Sequence, residues 1–210
     1  MAVVIDIHDL MSRLAVERPI FHSEADFQHS LAWLIHRDRP DTQVRLETRP
    51  ERGVHLDLLI VDERRTAIEL KYLARRFEGT VQGEPFDLPN QGAHDISRHD
   101  VCKDVVRVEK LLADGYADDG WTVVLTSDQG YWRAGTKADP IDAHFRLHEG
   151  RVIEGDLAWG ALAGAGTTRR RDTPLRVRGR YECRWHQYST IPRPSGRSVE
   201  LRFLALRITD

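Results

Sequence analysis

Apolar residues follow two rhythms along this chain, and the changes of rhythm mark its elements. Ile5–Glu17 carries its apolar positions at helical spacing and closes at Arg18-Pro19, where proline stops a helix. Ser23 can cap a second helix that runs through Phe27, Leu31, Leu34 and Ile35 to Arg39-Pro40. The rhythm then shortens to that of strands over Gln43–Thr48, Val54–Val61 and Thr66–Leu73, and their short polar connections predict an antiparallel meander. Ala74–Gly92 has little periodicity and predicts a long loop. Val101, Val105, Val108 and Leu112 restore the helical spacing up to Asp114-Gly115, and Trp121–Thr126 is an apolar strand. Asp139–His148 predicts a short helix, and Leu157–Gly166 is rich in small residues. Strands at Leu175–Arg184 and Val199–Ile208 end the chain. The sum is an α/β protein with a mixed central sheet: an N-terminal helix over 1–20, a core over 21–150, a small-residue linker over 151–168 and a C-terminal Arg-rich β extension packed on the core over 169–210.

With 210 residues, 40% hydrophobic and 30% charged, the composition is that of an ordinary globular chain and excludes a disordered one. No apolar run has the ~18 residues of a membrane span, and the start at Met1-Ala2-Val3-Val4 lacks a secretory signal. Two cysteines, Cys102 and Cys183, make no metal-type spacing or disulfide framework, so a reduced cytoplasmic setting is expected. The net charge of −2 hides an asymmetry: from Thr167 onward eleven arginines face four carboxylates, giving +7, and the rest carries −9. Such a basic end suits a polyanion, and equally a solvated sheet face.

The informative charges lie inside the strands. Asp57 interrupts Val54-His55-Leu56-Asp57-Leu58-Leu59-Ile60-Val61, and Glu69 and Lys71 interrupt Thr66-Ala67-Ile68-Glu69-Leu70-Lys71-Tyr72-Leu73. Charge is costly in apolar, β-branched sequence. Lys71 is telling in a chain with 27 arginines and 4 lysines, because the compact ammonium has a geometry that arginine does not reproduce. Alternation puts Glu69 and Lys71 on one face, and Asp57 joins them only if the turn near Asp62–Arg65 has an odd length or a bulge. Converged, Asp57, Glu69 and the Leu70 carbonyl offer hard oxygen donors for Mg²⁺ or Mn²⁺, with Lys71 to orient an attacking water on a phosphodiester. On a solvated hairpin the same charges would be a plain cross-strand ion pair.

This hairpin resembles the active-site signature of the PD-(D/E)XK nuclease superfamily, the restriction-endonuclease-like enzymes, with Asp57, Glu69 and Lys71 at the motif positions and Leu56 in place of its proline. The resemblance implies an α-β-β-β-α-β core, matched from Ser23 to Thr126, and a Mg²⁺-dependent nuclease acting on DNA. It also implies an acidic residue on the first core helix completing the metal site, for which Glu24 is the candidate and Asp26 the next. The Gln-x-x-x-Tyr motif of some subfamilies is not reproduced at Gln91-Gly92-Ala93-His94-Asp95. Arg75, Arg76, Arg98, Lys103 and Gln91 are candidates for nucleic-acid contacts. The alternative is a catalytically silent module of the same fold that binds nucleic acid or scaffolds a defence or repair complex. Partners expected on this reading are DNA and either a second copy or another protein of a larger complex, with no membrane.

Overall fold

The computed structural model describes residues 5–90, 92–193 and 196–209. Asp6 accepts from the backbone N–H groups of His8 and Asp9 at 3.0 and 3.1 Å and starts α1 (Ile7–Glu17). Ser23 Oγ accepts from the Asp26 N–H at 3.1 Å and starts α2 (Glu24–Asp38), which ends before Pro40. There follow β1 (Gln43–Thr48), β2 (Leu56–Val61) and β3 (Arg65–Leu73), then β4 (Phe77–Val81), β5 (Glu84–Leu88), α3 (His94–Ala113), β6 (Asp119–Thr126) and the single turn α4 (Gln129–Trp132). The chain finishes with β7 (Val152–Leu157), α5 (Ala165–Thr168), β8 (Leu175–Glu182), β9 (Trp185–Ile191) and β10 (Val199–Ile208).

Six strands form one mixed sheet in the order β1-β2-β3-β6-β10-β9, in which β3 and β6 are parallel and every other pair is antiparallel. A parallel pair needs a crossover, and α3 supplies it. The helices α1 and α2 cover one face through Leu14, Phe27, Leu31 and Ile35 against Leu58, Ile68, Leu70 and Tyr72. On the other face α3 packs Val101, Val105 and Val108 on Ala67, Val124 and Leu204, beside the β7–β8 hairpin. Every residue of β6 is buried, as a strand covered on both faces requires. Gly120 is where α3 comes closest: a Cβ there would collide with Val108 Cγ1 and lie 2.8 Å from the Ala67 carbonyl oxygen. Gly120→Ala is therefore expected to cost about 1–3 kcal/mol, read as a lower urea midpoint at unchanged slope.

Several expectations change. The loop expected at 74–92 contains the β4–β5 hairpin, turned at Gln82 and Gly83 with φ of 52° and 84°, the left-handed pair that a two-residue hairpin turn needs. The linker expected over 151–168 holds β7, paired with β8, and α5. The expected strand 175–184 stops at Glu182, and a new strand starts at Trp185 on the central sheet. The helix expected over 139–148 is one 3-10 turn, Ala143–Phe145, because Asp142 turns inward to Arg98 and Arg146. Among the described residues no helix is long and apolar enough to cross a membrane.

Candidate active site

The turn between β2 and β3 has three residues, Asp62-Glu63-Arg64, since Val61 pairs with Arg65. It is closed by the Asp62 N–H donating to the Arg64 carbonyl at 3.0 Å and the Arg64 N–H donating to Asp62 Oδ1 at 2.8 Å. This is the odd length that the shared face required. The ladder ends with Leu58 paired to Ile68, and continuing that register by one step would set Asp57 opposite Glu69.

At that step the sheet forks. The paired ladder of β2 and β3 stops at Leu58 and Ile68, and β3 runs on with its edge unpaired on that side. The N–H groups of residues two apart point the same way along a strand, and buried ones must find acceptors. Side-chain carboxylates take both: Asp57 Oδ2 accepts from the Leu70 N–H at 2.7 Å, and Glu24 Oε2 from the Tyr72 N–H at 2.8 Å. Gln28, buried on α2, donates to the Asp57 carbonyl at 2.8 Å and to Glu47 Oε1 at 2.9 Å, fixing β2 where it diverges. The fork thus brings Asp57, Glu69, Lys71 and Glu24 together from three elements.

From the other side α3 contributes Asp104 and Arg107. Lys71 Nζ lies 3.1 Å from Asp104 Oδ2, 3.8 Å from Glu24 Oε1 and 3.0 Å from the Leu70 carbonyl, to which it donates. Arg107 Nη1 lies 2.7 Å from Glu69 Oε1 and 3.0 Å from Asp104 Oδ1. Asp104 Oδ2 is buried and, although close to the ammonium, has no well-directed hydrogen bond. In the sequence Arg107 reads as a possible phosphate contact and Asp104 as part of an ordinary salt-bridged helix face, neither as part of the metal site, although Asp100, Lys103, Asp104 and Arg107 follow the one-face spacing of a helix.

Four carboxylates here face two cations, and the imbalance shapes their protonation. Burial, reinforced by Asp104 and Asp57, outweighs Arg107 and pushes the Glu69 carboxyl up to about 9. Burial also raises Asp104 and Glu24 against the pull of their cations. Burial works against the Lys71 ammonium, but Asp104, Glu24 and Asp57 outweigh it and hold it above the ordinary lysine value. Lys71 is therefore a permanent cation and donor at neutral pH. No three carboxylate, imidazole or thiolate groups among the described residues stand close enough to form a ready metal cage. The donor set is nonetheless hard oxygen, which suits a divalent cation that keeps several of its waters.

Asp57, Glu69, Lys71, Asp104 and Arg107 form the floor of a cleft of about 810 Å³ whose wall includes Gly53, His55, Lys103 and Arg169–Arg171, while Glu24 stays outside its lining. Of the described candidates for nucleic-acid contact, Arg75, Arg76, Arg98 and Lys103, Lys103 alone lines it. Arg75 and Arg76 line a separate hollow of about 400 Å³ with Ser127, Gln129 and Arg193. Arg98 corrects the expectation: it is inside the fold, 5% exposed, donating to Asp142 and to the Gly130 carbonyl at 2.6 Å each, so it holds a loop and is not available to a phosphate. Gln91 lies outside the described residues. The arginines of 169–171 carried no sequence signal beyond being a triplet in the basic tail. Comparison of the chain with protein-family models, with curated proteins and with solved structures finds no match.

Proposed function

We propose that the protein is a metal-dependent phosphodiesterase, a nuclease of the PD-(D/E)XK type acting on DNA. The observation that supports this reading is the three-residue turn, whose odd length suits a shared face for Asp57, Glu69 and Lys71, all three of which line one cleft at the fork of the sheet. The order α2-β1-β2-β3-α3-β6, with the β4–β5 hairpin inserted before α3 and with β3 and β6 parallel, supports a restriction-endonuclease-like core. Asp57 and Glu69 would hold Mg²⁺ or Mn²⁺, with Glu24 at the margin of the site. When bound, the metal supplies Lewis-acid polarisation of the phosphate and a more acidic water.

The chain's own groups do the rest. Lys71, kept protonated by its carboxylate neighbours, donates to the attacking water or to a non-bridging phosphate oxygen and stabilises the charge that grows as phosphorus becomes five-coordinate. Asp104 and the Leu70 carbonyl hold the ammonium in place. Arg107 anchors Glu69 from behind. The buried α3 face and the fork keep these groups from relaxing away from one another, so little reorganisation accompanies the reaction.

A second reading, the catalytically silent module, draws on one observation: Arg107 already pairs with both Glu69 and Asp104, so the floor is partly neutralised from within. Incubation of the full chain with supercoiled plasmid and with single-stranded, duplex and branched oligonucleotides separates the two. Cleavage with Mg²⁺ or Mn²⁺ that EDTA abolishes is the expected result. Binding without cleavage in either metal would leave the silent module in its place.

A further inference from the structure

The cleft is polarised. Its floor holds its two cations, Lys71 and Arg107, against Glu69 and Asp104, whereas its outer wall carries Lys103, Arg169, Arg170 and Arg171 with the carboxylate of Asp100. A floor whose cations are taken up by its own carboxyl groups offers a polyanion little, so the wall bears on what can be held. Lys103, Arg169 and Arg170 are exposed, and none has a carboxylate within ion-pair distance among the described residues. Arg171 is the exception, 3.8 Å from Asp100.

The wall is also built. Trp159 lies flat on the His99 ring of α3, with centroids 5.4 Å apart and planes 15° apart, and its indole N–H donates to the Arg171 carbonyl at 2.9 Å. Arg170 adopts φ of 63°, a left-handed conformation unusual for a residue with a side chain, and the Arg171 N–H donating to the Thr168 carbonyl at 2.7 Å closes the turn around it. The backbone is thus held in an uncommon shape that displays adjacent guanidinium groups beside the floor.

We propose that Arg169 and Arg170, with Lys103, seat the backbone phosphates of a polynucleotide as it passes the floor, without reading its bases. This rests on the nuclease reading for the polynucleotide's destination but on independent residues for its binding. Among the described residues the lining has no aromatic ring besides the imidazole of His55, so there is no platform on which bases would stack, and the available contacts are to phosphate.

The test is fluorescence anisotropy in EDTA, with labelled single-stranded DNA, RNA and duplex DNA of several sequences, over a range of salt. The full chain is expected to bind with little regard to sequence, and the single-stranded and duplex probes read which form the wall holds better. The double variant Arg169→Gln/Arg170→Gln, with circular dichroism to show that it is folded, is expected to raise Kd about tenfold and flatten the log–log salt slope by about 1.4, two single-strand phosphate contacts. Lys103→Gln should flatten it by about 0.7. Binding by the double variant within twofold of the parent at unchanged salt slope, or no polynucleotide binding by the parent at low salt, would overturn the proposal. Because EDTA removes the metal, polynucleotide binding with no metal-dependent cleavage would refute the catalytic reading and leave the wall standing, whereas cleavage with an indifferent double variant would do the reverse.

Discussion

Asp57→Asn is expected to lower metal-dependent DNA cleavage by about 10³-fold or more, roughly 4 kcal/mol of transition-state stabilisation, while leaving the fold intact. Asparagine is the informative replacement because of what Asp57 does locally. Its Oδ2 takes the Leu70 N–H at the fork, and an amide oxygen can accept that bond equally well. The substitution therefore removes the negative charge and keeps the bond that holds β2 against β3. Loss of activity with an unchanged thermal transition would assign the effect to chemistry. Lys71→Ala should fall by about 10²–10⁴-fold, but it also strips Asp104 of one of its two cations, so its stability is expected to drop with its rate. Lys71→Arg should not restore the rate, since the planar guanidinium cannot sit where the ammonium contacts Asp104 and the Leu70 carbonyl together. Cleavage by Asp57→Asn within tenfold of the parent would remove Asp57 from the proposed site.

The residues that make this test possible were partly legible without coordinates. The apolar spacings of Phe27, Leu31, Leu34 and Ile35, and of Val101, Val105, Val108 and Leu112, located α2 and α3 because each helix buries one continuous stripe. β1 and β10 have the bounds that alternation predicted. The face rule even reduced the site to a condition on one turn, because a strand's period of two leaves only odd or even choices. What alternation could not supply were long-range partnerships. Arg98 looked like a surface cation because its partner Asp142 is 44 residues away and packing alone brings them together. Asp104 and Arg107 looked like a solvated ion-pair face until β3 delivered Glu69 and Lys71 beneath them. The β4–β5 hairpin hid because its turn is Gln82-Gly83 instead of a commoner Asn-Gly pair, and β7 because Gly155, with φ of 71°, breaks its register against β8.

Without divalent metal, the stability of the protein is expected to fall as pH rises from about 4.5 towards about 9, and Glu69→Gln should flatten that decline. Glu69 is 1% exposed, and burial together with Asp104 and Asp57 raises its carboxyl to about 9 despite the Arg107 guanidinium at 2.7 Å. In the unfolded chain the same group titrates at its ordinary value near 4.5. Between these values the folded protein keeps a proton that the unfolded chain has lost, so raising the pH favours unfolding. The stabilisation linked to this group is complete below the unfolded value and gone above the folded one, with a slope of at most about 1.4 kcal/mol per pH unit for one proton. Glutamine imitates the neutral acid and can still accept from Arg107, so it removes the titration without removing the bond. The measurement is urea unfolding in EDTA across that range, parent beside variant. A parent curve as flat as that of Glu69→Gln would show that Arg107 holds the carboxylate ionised and that the floor carries its full charge when empty. The expected slope would instead make metal binding a proton-releasing event: adding Mg²⁺ should free a proton from Glu69, tighten as pH rises, and abolish the decline in the parent while leaving the variant unchanged.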